Sequence, residues 1–155
     1  MTDTPQSPDN SDAPLHREDL TTHHARDKSA SARPQPDPAS ATCEQFAGQA
    51  ARLLADYDCA DVLVFDVRGL SPITNFVIIA SGTSDRQIKA LGAHVEKLGE
   101  ATGFDRYGED ADKATTWLAL DFVEVMVHLF EPETRAHYDL EMLWGDAPKI
   151  DWQHG

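Results

Sequence analysis

The first 41 of the 155 residues contain no phenylalanine, tryptophan or tyrosine. Proline, serine, aspartate and threonine crowd there instead, with Pro5, Pro8, Pro14, Pro34, Pro36 and Pro38 spread along the segment. Such a stretch cannot bury enough apolar surface to offset its ordering entropy, so residues 1–41 are expected to form a disordered acidic tail. Bases are also scarce: 13 Lys and Arg stand against 27 Asp and Glu, a formal net charge of -14. Residues 1–41 account for -3 and residues 42–155 for -11, so the folded part is acidic in its own right. Nucleic-acid binding runs on Lys and Arg neutralising phosphates, and no basic stripe exists here to do it. The complement of this charge is a basic protein partner reached by electrostatic steering; plain solubility is its other meaning.

Long apolar runs are missing too. None approaches the ~20 residues of a membrane span, and there is no signal-peptide core. The acidic tail argues against an organellar transit peptide, so the cytoplasm is the expected location. There are only two cysteines, Cys43 and Cys59, and they flank one predicted helix. A helix rises about 1.5 Å per residue, which sets its ends too far apart for a disulfide. Reduced thiols are expected.

What is present, from Thr42 on, is enough for one core of two or three layers. Thr42-Cys-Glu-Gln45 reads as a capping box, and Phe46, Ala47, Ala50, Leu53, Leu54 and Tyr57 follow at one-faced helical spacing. Asp61–Val67 and Asn75–Ala80 are nearly continuous β-branched runs, typical of strands buried on both faces. Ser84 and Gln87 form a second capping box, with Ile88, Leu91, Val95 and Leu98 on the inner face and Gly103 as the stop. Phe104–Arg106 is a short candidate strand and Gly108–Lys113 an acidic loop. Thr115–Asp121 and Val123–Phe130 read as a hairpin of alternating strands. Pro132 opens a last helix carrying Tyr138, Leu140, Leu143 and Trp144. Residues 149–155 read as a loose end. The order α-β-β-α-β-β-β-α predicts an α/β fold, a mixed sheet flanked by helices.

Chemistry is thin along the chain. Ser81-Gly-Thr-Ser84 at a strand-to-helix turn offers amides to a phosphate, but it lacks the lysine of a P-loop and the glycines of a dinucleotide fingerprint, and a tight structural turn is the simpler reading. His128 has no second ligand at metal spacing and reads as a half-buried strand histidine. Asp121 and Glu124 straddle the hairpin turn; outside a cleft, such a pair serves a partner's Lys or Arg better than acid–base work or Mg²⁺. No catalytic group, cofactor or metal site is expected.

The hairpin turn has neither glycine nor asparagine, the usual suppliers of positive φ. Asp121, Phe122 and Glu124 stand there instead. An aromatic between two carboxylates at a strand end suggests an edge built for docking. Core packing is the ordinary reading of Trp117, but the acidic loop before it and Phe122 after it favour an exposed interface.

The runs Asp61–Ser71, Asn75–Arg86, Trp117–Asp121, Val127-His128 and Tyr138–Ala147 together resemble the ribosomal silencing factor family, the Iojap-like group. The resemblance extends in one order from about Thr42 to Pro148. It implies a mixed sheet like that of nucleotidyltransferases without the catalytic carboxylates, since no Asp-x-Asp follows Ser81-Gly82 and no phosphoryl-transfer site remains. It implies a non-enzymatic translational repressor. Such a protein binds the large ribosomal subunit at its fourteenth universal protein and sterically blocks joining of the small subunit when nutrients are short. Self-association of the free protein is a further implication. By matching position, Trp117, Asp121, Phe122 and Glu124 fall on the partner-facing hairpin, with Glu109 and Met126 as flanking contacts. The family usually has glycine where Val123 stands, so a wider or bulged turn is expected. His128, Arg135, Tyr138 and Trp144 are assigned mainly to the fold, with Tyr138 and Trp144 the ones placed to reach a partner. Two alternatives accompany this reading: a large-subunit assembly factor using the same edge, and a degenerate nucleotidyltransferase holding a nucleotide at Ser81–Ser84.

Overall fold

A computed structural model describes residues 33–153. The tail expectation for residues 1–32 and the final two residues lie outside that range. The elements are α1 (Thr42–Asp56), β1 (Ala60–Asp66), β2 (Phe76–Ser81), α2 (Asp85–Thr102), β3 (Gly108–Ala111), β4 (Trp117–Asp121), β5 (Val125–Phe130), α3 (Pro132–Tyr138) and α4 (Leu140–Leu143). The five strands form one mixed sheet in the order β1-β2-β5-β4-β3. β2 and β5 run parallel and every other pair is antiparallel. The α/β expectation holds.

Side chains alternate across a strand, so each strand feeds two layers. On one face Val64, Phe76, Ile78, Leu118, Leu120, Val125 and Val127 meet the apolar stripes of α1 and α2. On the other, Phe65, Val67, Val77, Ile79, Trp117, Met126 and Phe130 pack with Leu140, Trp144 and Ala147. β2, β4 and β5 are therefore buried on both faces. This corrects the expectation of a hairpin that alternates between core and water: Tyr138 to Ala147 supply a cover that local sequence does not announce.

Helix boundaries follow their chemistry unevenly. Ser84 caps α2 by accepting the Gln87 N–H at 3.1 Å. Gly103, at φ 89°, ends that helix in the left-handed region glycine tolerates. Gly99 is needed for close approach, because a Cβ there would lie 2.2 Å from the Phe104 carbonyl oxygen. α1 lacks the expected capping box: it begins at Thr42 after Ala41, and no side chain caps it. The single last helix is split by Asp139 at φ 49°. Phe104–Arg106 is not a strand. β3 lies instead in the stretch read as an acidic loop, where Gly108 pairs with Asp121 and Ala111 with Leu118.

Two segments expected to be loose are fastened. Pro148–Trp152 runs along β1: the Asp66 N–H donates to the Pro148 carbonyl and the Ile150 N–H to the Val64 carbonyl, each at 2.8 Å. The Trp152 indole N–H donates to the Val62 carbonyl at 3.1 Å. Residues 33–41, expected to belong to the disordered tail, lie as a strap across the hairpin end of the sheet. There the Asn75 amide donates to the Asp37 carbonyl at 2.7 Å.

Candidate docking site at the hairpin end

The β4–β5 connection is Phe122-Val123-Glu124. The Phe122 N–H donates to the Val125 carbonyl at 2.9 Å, and the Glu124 N–H returns to the Phe122 carbonyl at 2.8 Å. A three-residue bond around Val123 at φ 71° is a γ-turn, a strained conformation for a β-branched side chain. The turn is thus tighter, not wider, than expected. Asp121 sustains it: its Oδ1 accepts the Val123 N–H at 2.7 Å.

The exposed-aromatic expectation is overturned. Trp117 is 1 % exposed and Phe122 2 %. The Trp117 ring packs 4.7 Å from that of Phe130 and 4.6 Å from that of Tyr138. Its indole N–H donates to His128 Nδ1 at 3.2 Å, so the polar handle is satisfied inside. Phe122 turns to the opposite layer and meets Phe46 edge-on at 5.2 Å. Met126 is buried in the same layer as Trp117. None of these three presents a surface anchor; they fix the hairpin from beneath. The physical reason is the double cover of the sheet, which leaves no apolar edge of β4 in water.

Three acidic residues reach the surface at this end, and a fourth lies beneath it. Glu109 is exposed on β3 and lies 3.3 Å from Arg106. Glu124 is half-buried and accepts the Asp37 N–H at 3.0 Å. Asp37 itself is exposed on the strap. Asp121 is fully buried beneath Arg33, at 2.8 Å. Asp121 and Glu124 flank the turn as expected, but Asp121 does not face solvent, because Arg33 covers it, and both carboxylates already have partners from the strap. Large apolar exposure lies nearby on α4, where Met142 is 62 % and Leu143 37 % exposed. Leu143 lines a small opening with Ile73, Met126, His128 and Trp144. Sequence reasoning missed Arg33 and Met142; the only signal for Met142 was a surplus of apolar residues in the four-residue Leu-Glu-Met-Leu helix.

The other turn of interest, Ser81–Ser84, is closed by its own neighbours. The Gly82 N–H donates to the Phe130 carbonyl at 2.7 Å. Gln87 Oε1 accepts the Thr83 N–H at 2.5 Å and the Thr83 hydroxyl at 2.9 Å. Ser81 Oγ accepts from Arg135 at 2.8 Å, and Arg135 also pairs with Glu141 at 2.8 Å. These amides are spent within the fold, which argues for the structural turn over a phosphate cradle. Cys59 lies at this end of the sheet, its neighbour Ala60 paired with Ser81. Burial pushes its thiol pKa up from 9.0 to about 11 against the opposing pull of Arg135. Both cysteines are free and buried. Among the described residues no group of three or more His, Cys, Asp or Glu is placed to hold a metal ion. No helix among them is long and apolar enough to cross a membrane.

Fold and site together define a mixed α/β domain whose distinctive surface is an acidic sheet end. A family described as "Ribosomal silencing factor during starvation" matches residues 40–155. The chain belongs to this ribosomal silencing factor family. It is 31 % identical over 106 residues to "Ribosomal silencing factor RsfS" of Bacillus subtilis, covering 68 % of this chain and 90 % of that one. It is 34 % identical over 145 residues to "Protein Iojap, chloroplastic" of Zea mays, covering 90 % and 63 %. "Mitochondrial assembly of ribosomal large subunit protein 1" of Mus musculus is 35 % identical over 120 residues, covering 73 % and 51 %. A crystal structure of a Chromobacterium violaceum protein superposes with TM-score 0.62 at 31 % identity, covering 66 % of this chain and 85 % of that one.

Proposed function

We propose that this chain represses translation without catalysis, by occupying the large ribosomal subunit at its fourteenth universal protein and so blocking the small subunit. The observation that carries this reading is the family match over residues 40–155 together with the acidic sheet end. In the proposed complex Glu109, Glu124 and Asp121 face Lys and Arg of the basic partner. Met142 and Leu143 supply the apolar contact once assigned to Trp117 and Phe122. Trp117, Phe122 and Met126 act from below by holding the turn. Tyr138 and Trp144 carry α4 in its place. Net charge speeds encounter and the short-range pairs set register. The setting is the cytoplasm, with no cofactor and no direct nucleic-acid contact; a homodimer of the free chain is consistent with the exposed apolar side chains of α4.

The test is co-sedimentation with isolated large subunits, followed by addition of small subunits. Wild type should bind and prevent joining. Glu109→Lys/Glu124→Lys, which changes surface charge and leaves the core intact, should lose both. Wild-type chain that stays in the supernatant would sink the reading. A second reading, a large-subunit assembly factor, is favoured by the name of the mouse relative. Sucrose-gradient profiles of a deletion strain separate the two: accumulated large-subunit precursors support assembly, and normal subunits with unrestrained joining under starvation support repression.

A further inference from the structure

The Asp121 carboxylate holds a guanidinium, and that guanidinium belongs to the chain itself. Arg33 Nε donates to Oδ2 at 2.8 Å and Nη2 to Oδ1 at 2.9 Å, a two-pronged match of planar fork to carboxylate. Nη1 donates to the Ile73 carbonyl at 2.8 Å and Nη2 to the Val123 carbonyl at 3.1 Å. A weaker bond of 3.4 Å runs from Nη1 to the Pro34 carbonyl. Four acceptors, from the end of β4, the hairpin turn and the loop before β2, thus converge on one planar cation. A lysine ammonium is a point donor and does not match this fork.

The receptor half of this arrangement stands independently of Arg33. Asp121 is oriented by the Val123 N–H at 2.7 Å, and the γ-turn at φ 71° aims the Val123 carbonyl toward the cation. The ligand half sits on a slight support. Pro34, Gln35, Asp37, Pro38 and Ala39 are exposed, and two hydrogen bonds at Asp37 fasten the strap to Glu124 and Asn75.

We propose that Asp121, Ile73 and Val123 form a guanidinium-binding cradle that accepts an arginine side chain of a basic protein partner. Arg33 fills that cradle in the free chain, so docking requires exchange of one arginine for the other. This rests on the docking reading above. Tethering gives Arg33 an effective concentration in the millimolar range, enough to hold the cradle against stray cations and to yield to a partner that adds contacts elsewhere. Asp37 of the same strap occupies Glu124, so release of the whole strap, beyond displacement of Arg33, is what frees both hairpin carboxylates.

Two measurements on the full chain test this. The first follows the Val123 and Glu124 amide signals by NMR during titration with N-acetyl-arginine methylamide, with N-acetyl-lysine methylamide as control. Arg33→Ala should bind the arginine compound saturably, wild type should bind it at least ~10-fold more weakly, and the lysine compound should not saturate. Equal response of wild type and variant, or none from the variant, overturns the cradle. Should Arg33→Ala fail to fold, Arg33→Lys keeps the charge and gives up the fork, and the same criteria apply to it. The second measures affinity for large subunits, where Arg33→Ala should bind about tenfold more tightly, the gain expected when a site open a tenth of the time is opened fully. Unchanged or weaker binding would make Arg33 a structural lock and overturn the exchange. If no version of the chain binds subunits, the docking reading fails while the titration still decides the cradle.

Discussion

The two ends of the sheet close their polar turns in different ways. At Ser81–Ser84 the first half is held by the folded sheet, Gly82 by Phe130 and Ser81 by Arg135, and the second half by local partners: Gln87 is four residues from Thr83, and Ser84 is three from Gln87. At Asp121–Glu124 the backbone turn closes locally, but its two carboxylates take partners from afar, since Arg33 is 88 residues from Asp121 and Asp37 is 87 from Glu124. A turn held by its own helix and by the sheet opens only when those elements do. Carboxylates closed by a strap would, on the exchange proposed above, be uncovered by release of the strap alone, with the sheet still folded. Two turns rich in polar groups thus lead to different conclusions, one architectural and one about traffic at a surface.

The largest effect belongs to the aromatics under the hairpin end. Trp117→Ala and Phe122→Ala should each cost about 3–5 kcal/mol, read by denaturant unfolding, as expected for core aromatics truncated to a cavity. Full stability in either variant would return that residue to the surface and undo the account of the hairpin.

Next comes the dryness of the Ser81 end. Cys59 ionises near 9.0 when unfolded and near 11 when folded, so its contribution is complete below pH 9 and is lost as pH rises toward 11. On the order of 1–2 kcal/mol of stability should disappear over that window, less than the full shift implies because the thiol is only partly desolvated. Cys59→Ala should flatten this part of the pH profile, and an equally steep loss in that variant would place the cause elsewhere.

Ser84→Ala removes the cap of α2 and should cost about 1 kcal/mol without touching subunit binding. Val123→Gly is the smallest. It relieves a β-branched residue at φ 71° but frees the unfolded chain, so a net gain of at most about 1 kcal/mol is expected in thermal unfolding. A destabilised Val123→Gly chain would mean the valine side chain matters more than its backbone.

Much of this architecture was legible in the residues. Apolar spacing placed α1 and α2, the β-branched runs placed β1 and β2, and Ser84, Gly103 and Pro132 marked helix ends by their own chemistry. What escaped depends on contacts between distant segments. β3 carries Gly-Glu-Asp-Ala, with no apolar alternation, and becomes a strand because β4 offers it a free edge. Trp117 was misplaced because nothing near it in sequence reveals that Tyr138 and Trp144 cover its face. The acidic edge was legible in Asp121 and Glu124, but Arg33 is one basic residue among prolines, and its role exists only once the hairpin has folded. Val123 shows the reverse: the missing glycine was plain, but a γ-turn braced by Asp121 was not.

The clasp of Pro148–Trp152 along β1 has a bearing on colloidal behaviour. A sheet with two bare edges can pair with a neighbouring molecule and grow. Here one edge is occupied by the chain's own later residues, and the other, β3, is only four residues long and carries Glu109 and Asp110. Concentrated solutions of this protein should therefore resist fibril formation for as long as the clasp stays fastened. Trp152→Ala, which unpins its far end, is the change expected to make the protein prone to aggregate.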